Sequence, residues 1–506
     1  MPYLDFIAER AGTKLSLGRD GSELTFNDYD SKFRKDGSQS YTYRKPNVCG
    51  REVIDTLFLS WKYDSVARKL SAYGLKTVVK ELGLEDPNRQ HYDAKEIQTR
   101  YLDRNEFDKI RAYCQGDSDD ALKIFELMIP PYFYMVQTIP TTLEGIVNRA
   151  TGSQINSYLI RSYLIEGHSI PKPSDPVDFE GAISLGNPGT YRNVLKVDVA
   201  SLYPSIMLEY SVFNPEKDPL GIFLITLQEL TEQRLKNKTK YKETKDEYYK
   251  ALSESIKIVI NSFYGFMGAP GLHFNSPKHA ALVTEKGREI LTIAIDWCEK
   301  KGFILVNADT DSIAFCKADH SFMAESERSE LLSELNSLFQ ARIRWENDGY
   351  YDAVLVIKAK NYVMKQGDKL TIKGSALKAT MKEPALRECL RRLVEAMLDG
   401  RTSAIEAIKE EYTQEIENLT DITRWAAKKT VTEKVMNPGR TNEAKILAAI
   451  SETDFQEGDK VYVYFAQDQS LKLAKDWNHD HCKKRLQKKL KDTLAILFGK
   501  VRKKKK

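Results

Sequence analysis

The sequence predicts a mixed α and β fold of the α+β type, divided into several domains. Segments with apolar residues at helical spacing are interrupted by short apolar runs that end at turn residues. The chain has 506 residues, 42% of them hydrophobic and 29% charged. This length and composition are typical of a soluble globular protein with about two to four domains.

The N-terminal third of the chain is predicted to be mainly helical. Amphipathic helices are predicted over residues 62–84, 106–128 and 146–166. The proline-rich sequence IPKPSDP at 170–176 predicts a linker. Two strands are predicted after it, in EGAISLG and in YRNVLKVDVA.

The rest of the chain alternates between helices and strands. Two helices, 223–250 and 251–263, are predicted to form an antiparallel hairpin joined near residue 248 and closed by Tyr264 and Gly265. A helix over 285–300 precedes FILVNADTDSIAF, which predicts a strand, a tight turn and a strand. Towards the C-terminus we expect a mainly helical region, a strand and a basic helix, at 385–450, 458–465 and 478–498.

Charge and targeting signals narrow the classes of function. Residues 471–506 carry 14 Lys or Arg and three Asp, a net charge of +11, whereas the other 470 residues sum to −6. This basic segment is suited to gripping a phosphate backbone, although its last six residues, VRKKKK, are equally consistent with a solvated tail. The sequence shows no membrane-spanning run, no signal peptide and no CxxC pair among six cysteines. We therefore expect a cytoplasmic protein without a membrane partner.

Acidic residues occur where apolar strands are predicted to end. Asp309 and Asp311 lie at the tip of the predicted hairpin, and Asp198 ends the strand before a helix that starts near Ser201. Carboxylates brought together from distant segments repel each other unless a cation joins them, and hard oxygen ligands favour Mg²⁺. For the DTD sequence alone, a turn in which the aspartates act as caps is the favoured explanation.

Basic residues at a spacing of four strengthen the phosphate interpretation. Lys257 and Asn261 share one helix face with Tyr264, and Arg234 and Lys238 repeat the spacing on the preceding helix. Together they would form a cationic wall suited to a triphosphate. For each residue taken alone, an ordinary solvated face is the favoured explanation.

Taken in order, these segments resemble the motifs of the family B DNA polymerases. Residues 198–206, DVASLYPSI, resemble the first polymerase motif; KxxxNSxYG at 257–265 resembles the second; and DTDS at 309–312 resembles the third. Weaker likenesses are FEGA at 179–182, which resembles the template-contacting element, and KNY at 360–362, which resembles the primer-gripping element. The resemblance covers roughly residues 50–498.

The resemblance implies a right-hand polymerase fold preceded by a partial RNase H-like exonuclease domain. It implies these bounds: exonuclease remnant 1–130, palm 131–222 and 269–384, fingers 223–268, and thumb 385–506 with its basic tail. The implied activity is DNA-directed DNA polymerisation, in which dNTPs extend a primer on template DNA.

The resemblance also implies roles for individual residues. Asp198 and Asp311, with the Val199 carbonyl, would bind two Mg²⁺ ions, for which Mn²⁺ is a substitute; Asp309 is ranked as an outer catalytic residue. The incoming dNTP would contact Ser201, Leu202, Tyr203, Arg234, Lys238, Lys257, Asn261, Tyr264, Gly265 and Thr310, with Tyr203 excluding a 2′-hydroxyl. The DNA would contact Phe179, Gly181, Lys360 and Tyr362.

The chain departs from the family pattern at several positions. Asn307 and Ala308 stand where Tyr-Gly is usual, Phe179 replaces a tyrosine, and the primer element lacks one basic residue. Tyr113 and Asp117 resemble the third exonuclease motif, but the first two would lie upstream of Met1. Asp117 alone is not expected to assemble a proofreading site, so we regard both residues as vestigial.

Three explanations of this N-terminal region stay open. A separate chain supplies the other exonuclease half of a split polymerase, the remnant has adapted as structural support, or the chain is truncated. The gaps between motifs, from 198 to 257 and from 257 to 309, are short, which favours a nucleic-acid primer over a protein primer. The rival functions are a catalytically silent DNA-binding subunit of a polymerase holoenzyme and a nuclease.

Overall fold

The computed structural model of the chain divides into two compact units. The first comprises Met1–Glu180 and Tyr203–Thr284, and the second comprises Gly181–Leu202 and Glu285–Lys506. The described residues are 1–34, 40–67, 70, 72–90, 92, 94–101, 103–374, 383–430, 441–450 and 460–498. The terminal sequence VRKKKK, predicted as a phosphate grip or a solvated tail, lies outside them.

The first unit is mainly helical. Its helices are α1 (Pro2–Arg10), α2 (Thr56–Ala67), α3 (Leu75–Glu81), α4 (Ala94–Arg100), α5 (Arg104–Met128), α6 (Pro130–Thr138), α7 (Leu143–Asn148), α8 (Thr151–Ile165), α9 (Leu202–Glu209), α10 (Ile222–Thr244) and α11 (Glu247–Gly268). Four short strands, β1 (Thr25–Phe26), β2 (Ser31–Arg34), β3 (Ser40–Tyr43) and β4 (Pro46–Asn47), form two-stranded pairs β1–β4 and β2–β3. Phe33 and Phe58 stack with ring centroids 4.3 Å apart, joining β2 to α2.

The second unit is built on an antiparallel sheet of seven strands. These are β5 (Ser184–Gly186), β6 (Gly189–Val199), β7 (Phe303–Asp309), β8 (Ser312–Lys317), β9 (Trp345–Lys358), β10 (Asn361–Gln366) and β11 (Lys369–Lys373), in the order β11-β10-β9-β6-β8-β7-β5. Helix α12 (Pro277–Lys300) begins in the first unit and continues into the second. Trp297 on α12 packs edge-on against Phe315 of β8 at 5.7 Å, so this helix covers the sheet that carries the acidic motifs.

The C-terminal part of the second unit has its own small sheet and helices. Its helices are α13 (Glu325–Ser337), α14 (Pro384–Asp399), α15 (Thr402–Glu417), α16 (Thr441–Ile450) and α17 (Lys483–Phe498); strands β12 (Ala427–Thr430), β13 (Lys460–Phe465) and β14 (Leu471–Leu473) pair in that order. Leu393, Tyr412 and Trp425 are almost fully buried in the core formed by α14, α15 and α17.

Most predicted elements are found, and the differences have local reasons. Residues 62–84 were predicted as one helix, but α2 ends at Ala67 and α3 begins after the N-cap Gly74, since glycine weakens a helix interior. Helix α11 was predicted to close at Tyr264 and Gly265 but runs on to Gly268, because Phe263, Phe266 and Met267 continue its buried face. Strand β12 within the predicted helical region 385–450 was missed.

A buried histidine makes the stability of this region depend on pH. His481 is 6% exposed, and neither of its ring nitrogens has a hydrogen-bond partner among the described residues. Burial lowers the pKa of His481 below its usual value of 6.5. As the pH falls below about 6.5 the unfolded state therefore binds a proton that the folded state does not, and stability decreases by at most about 1.4 kcal/mol per pH unit.

We expect His481→Phe to remove this component of the pH dependence. Thermal unfolding measured between pH 7.5 and 5.5 is the test, with the exposed His168→Gln as the matched control. The control should keep the wild-type slope. An equal slope in wild type and His481→Phe would contradict the assignment.

Candidate active site

Asp198 lies at the end of the central strand β6. Val194 and Val197 on this strand are buried, and Asp198 pairs in register with Ser312 of β8 and with Glu346 of β9. The next backbone N–H, of Val199, donates to the Asp311 carbonyl at 2.7 Å. This bond joins the end of β6 to the tip of the β7–β8 hairpin, so two acidic segments 113 positions apart in the sequence meet, as the sequence predicted.

The hairpin tip is a tight three-residue turn. The Asp311 N–H donates to the Asp309 carbonyl at 2.7 Å across Thr310, whose φ of 60° lies in the left-handed region. A non-glycine residue there costs about 1–3 kcal/mol and persists when its surroundings hold it. The Thr310 N–H donates to the Ile183 carbonyl at 2.9 Å, which anchors the turn. The aspartates are thus held in a fixed, strained backbone.

Burial raises the proton affinity of both carboxylates. Burial and the nearby Asp311 raise the pKa of Asp198 to about 7. Burial is also the main cause that raises the pKa of Asp311. Two half-buried carboxylates of this kind favour a bound cation, because a cation removes both the desolvation penalty and the repulsion.

Two neighbouring aspartates, Asp309 and Asp348, differ from this pair because lysines neutralise them. Asp309 lies 3.4 Å from Lys360 Nζ, and Asp348 forms an ion pair with Lys196. Among the described residues, neither Asp198 nor Asp311 has an ion-pair partner within 4.0 Å. Lys196, Glu346 and Asp348 were not predicted from the sequence. The available signal was the alternation of side chains along a strand, which puts Lys196 on the same face of β6 as Asp198, and Glu346 on the same face of β9 as Asp348.

The donor set fits a hard cation whose remaining ligands come from elsewhere. Carboxylate and backbone carbonyl oxygens are the ligands that Mg²⁺ prefers, and Mg²⁺ is usually held by one or two carboxylates plus water and substrate phosphates. Within the described ranges, no group of three or more His, Cys, Asp or Glu side chains is arranged to hold a metal.

Except for Tyr203, the predicted nucleotide-contacting residues of the first unit lie on the helical hairpin α10–α11. Lys245, with a φ of 57°, ends α10, and the Asp246 side chain caps α11 by accepting from the Tyr248 N–H at 2.9 Å. Lys257 and Asn261 are exposed on α11, opposite its buried face, as the spacing predicted. On α10, Lys238 is exposed and Arg234 is partly buried.

Two predicted nucleotide-contacting tyrosines are in contact with each other. The ring centroids of Tyr203 on α9 and Tyr264 on α11 are 4.3 Å apart, with an interplanar angle of 46°. Burial raises the pKa of Tyr264. A Cβ added at Gly265 would meet no described atom within 4 Å. Packing within the described chain therefore does not require a glycine there, which is consistent with close approach by a ligand.

The predicted DNA contacts are distributed over several elements. In the first unit, the Phe179 ring lies 3.7 Å from the position that a Cβ on Gly268 would occupy. In the second unit, Arg288 donates to the Gly181 carbonyl at 2.9 Å. Lys360 is exposed in the β9–β10 turn with a φ of 60°, whereas Tyr362 is only 7% exposed. Lys360 is therefore the more accessible of the two primer candidates.

Comparison with known proteins decides the family. The family model described as DNA polymerase family B matches residues 211–498, more than half of the chain. The chain belongs to DNA polymerase family B. The matched range includes the second and third motifs, so the resemblance inferred from the sequence is confirmed.

Archaeal DNA polymerases are among the relatives of this family B chain. It is 27% identical to a DNA polymerase of Archaeoglobus fulgidus over 399 residues, covering 74% of this chain and 48% of the relative. It is 25% identical to a DNA polymerase of Thermococcus gorgonarius over 433 residues, covering 78% of this chain and 54% of the relative. The chain thus spans about half the length of these curated relatives.

A solved family B structure supports the fold. The family B DNA polymerase of Pyrobaculum calidifontis matches with a TM-score of 0.69 at 17% identity, over 100% of this chain and 69% of the other. The predicted mixed α and β polymerase fold is therefore confirmed. In the described part of the chain, no helix is both long enough and apolar enough to cross a membrane.

The predicted exonuclease residues of this family B chain lie in an ion-pair cluster. Arg89 donates to Asp120 at 2.7 Å and also pairs with Asp117. Tyr113 is buried, and its hydroxyl accepts from Lys76 Nζ at 2.6 Å. A Cβ on Gly116 would lie 2.4 Å from the Arg89 guanidinium, so α5 approaches Arg89 closely. Asp117 is therefore already neutralised by a side chain.

Proposed function

We propose that this chain is a DNA-directed DNA polymerase that extends a nucleic-acid primer with dNTPs. The observation that carries the proposal is the Asp198–Asp311 pair, two half-buried carboxylates without a protein counter-ion among the described residues. Membership of family B supports the same activity. The bounds of palm, fingers and thumb stay a prediction.

The proposed chemistry is nucleotidyl transfer assisted by two Mg²⁺ ions, with Mn²⁺ as a substitute. Asp198 and Asp311, with the Val199 carbonyl, would hold the ions. Bound there, the ions would lower the pKa of the primer 3′-hydroxyl and neutralise charge on the leaving pyrophosphate. The strained turn at Thr310 keeps Asp311 beside the end of β6, so the protein orients the carboxylates before substrate arrives.

The remaining residues are proposed to bind and orient the substrates. Exposed Lys257 and Asn261 on α11, with Arg234 and Lys238 on α10, would contact the triphosphate. The backbone N–H groups of Ser201 and Leu202, at the start of α9, would donate to phosphate oxygens. The sugar and base would contact Tyr203, Tyr264 and Gly265, with Tyr203 selecting deoxynucleotides. The dNTP would also contact Thr310. The DNA would contact Phe179, Gly181, Lys360 and Tyr362.

Proofreading is proposed to be absent from this chain. Asp117, whose sequence setting resembles an exonuclease motif, is neutralised by Arg89, which also bridges to the buried Asp120. A guanidinium that already satisfies this carboxylate disfavours a divalent cation at the same place. A separate chain that completes an exonuclease half stays a prediction of the sequence analysis.

Primer extension by the purified chain is the experiment that tests this function. A labelled primer on template DNA is incubated with the chain, four dNTPs and Mg²⁺, and product lengths are measured. We expect extension that depends on template and cation, with no trimming of the 3′ end. Binding of primer–template without extension would instead support the silent DNA-binding subunit, and clear 3′ trimming would overturn the claim about proofreading.

A further inference from the structure

The sheet face that carries Asp198 also carries a buried lysine to which the proposed function assigns no role. Lys196 and Asp198 are two residues apart on β6, so their side chains project from the same face. The Lys196 side chain is 11% exposed, and its Nζ pairs with Asp348 Oδ2 on β9. The charge of Lys196 acts on both Asp198 and Asp311. A fixed cation therefore lies beside the two carboxylates.

Asp348 contacts Lys196 at an irregular position in the sheet. In the β6–β9 ladder, Lys196 lies opposite Gly349 and Val197 lies opposite Asn347, so Asp348 is the extra residue of a β-bulge. Bulges re-aim side chains and are frequent beside active sites. Here the bulge brings the Asp348 carboxylate onto the Lys196 ammonium although the two residues do not face each other in register.

Without Lys196, Asp348 would be a competing ligand for a divalent cation. Its carboxylate has the same hard-oxygen chemistry as Asp198 and Asp311, and its charge raises the pKa of both. The ion pair with Lys196 satisfies this third carboxylate through a charge-assisted hydrogen bond. Lys196 thus neutralises Asp348, whereas Asp198, Asp311 and the neighbouring Glu346 have no ion-pair partner among the described residues.

We propose that Lys196 is a positioning residue that holds Asp348 in an ion pair and thereby keeps this carboxylate from acting as a cation ligand beside Asp198 and Asp311. The inference rests on the proposed function, because it requires that this pair binds the divalent cations. This positioning role differs from a merely structural role of Lys196 in the direction in which cation affinity changes when the lysine is removed. A lysine that only tied β6 to β9 would, when removed, weaken cation binding or leave it unchanged.

The test is titration of the full chain with Mn²⁺ alone, without DNA or dNTP, followed by electron paramagnetic resonance. Lys196→Met keeps the apolar stem and removes the charge. Because a repulsive charge is lost and a third carboxylate is released, we expect Mn²⁺ to bind about threefold or more tightly. Primer extension at saturating Mn²⁺ should fall about tenfold, because the cations are no longer held in the productive arrangement.

Two further variants identify the cause. Lys196→Arg keeps the charge and should retain the wild-type Mn²⁺ affinity. In Lys196→Met/Asp348→Asn the released ligand is removed, so the affinity should return to within about twofold of the wild-type value. Lys196→Gln, a neutral polar substitution, provides the same comparison if Lys196→Met does not fold.

The outcomes that overturn the proposal are distinct from failure of the proposed function. Unchanged or weaker Mn²⁺ binding by the neutral Lys196 variant, or tight binding that persists in the double variant, would overturn the role of Lys196. Wild-type Mn²⁺ affinity in Asp311→Asn would instead remove the proposed metal site itself. Primer extension by the wild-type chain is measured separately and reports on the polymerase function.

Discussion

Asp311→Asn should reduce primer extension by about a thousandfold while leaving primer–template binding unchanged. The substitution keeps the size and the hairpin backbone of Asp311 but removes one of two carboxylates proposed to hold the catalytic cations. Loss of about 4 kcal/mol of cation-dependent stabilisation of the transition state corresponds to this factor. The rate is measured by single-nucleotide incorporation, and DNA binding by fluorescence anisotropy.

The matched control is Asp368→Asn. Asp368 is an exposed aspartate between β10 and β11 of the same unit, so this variant makes the same change of charge away from the carboxylate pair. It should extend primers at the wild-type rate. Extension by Asp311→Asn at more than about a tenth of the wild-type rate would reject Asp311 as a metal ligand.

Arg89→Met should lower the free energy of unfolding of the first unit by about 3–5 kcal/mol. The Arg89 side chain is 4% exposed and bridges Asp120, which is 3% exposed, and Asp117, which is 33% exposed. Methionine fills much of the same volume but leaves the buried Asp120 without a counter-ion, and a buried unpaired charge is strongly destabilising. Denaturant unfolding followed by circular dichroism measures the change.

The neighbouring Asp119 provides the control for this prediction. It is exposed on the same helix α5, where it accepts from Gln115 at 2.9 Å. Asp119→Asn should change stability by less than about 0.5 kcal/mol. If Arg89→Met were no more destabilising than this control, the cluster around Asp117 would not be the structural support that we infer.

Much of the candidate site could be predicted from the sequence because its motifs are local. The spacing of four that places Lys257 and Asn261 on one face is a property of any α-helix. Alternation of apolar residues likewise predicted that Asp198 ends a strand and that Asp309 and Asp311 flank a hairpin tip. Contact between the segment that ends in Asp198 and the segment that contains Asp311 was inferred from the chemistry of paired carboxylates. The backbone hydrogen bond from Val199 to Asp311 confirms that the two segments meet.

The departures from the sequence-based fold are also understandable in physical terms. The end of α11 was misplaced because Gly265 was taken as a terminator, whereas burial of Phe266 and Met267 stabilises the last turn. Strand β12 was missed because only four residues pair, and they are paired by β13 from a distant segment. Short strands of this kind depend on their partners rather than on intrinsic preference.

The sequence by itself determined the family, the residue types of the candidate site and the elements that carry them. The tertiary structure decided which carboxylates are neutralised. Lys196 meets Asp348 across 152 positions of sequence, and Arg89 meets Asp117 across 28. Such ion pairs depend on the distance between side chains in the folded protein, which strand register, a bulge and helix packing determine. Separation along the sequence does not predict that distance. Asp198 and Asp311 are therefore distinguished from Asp309, Asp348 and Asp117 only once the chain is folded.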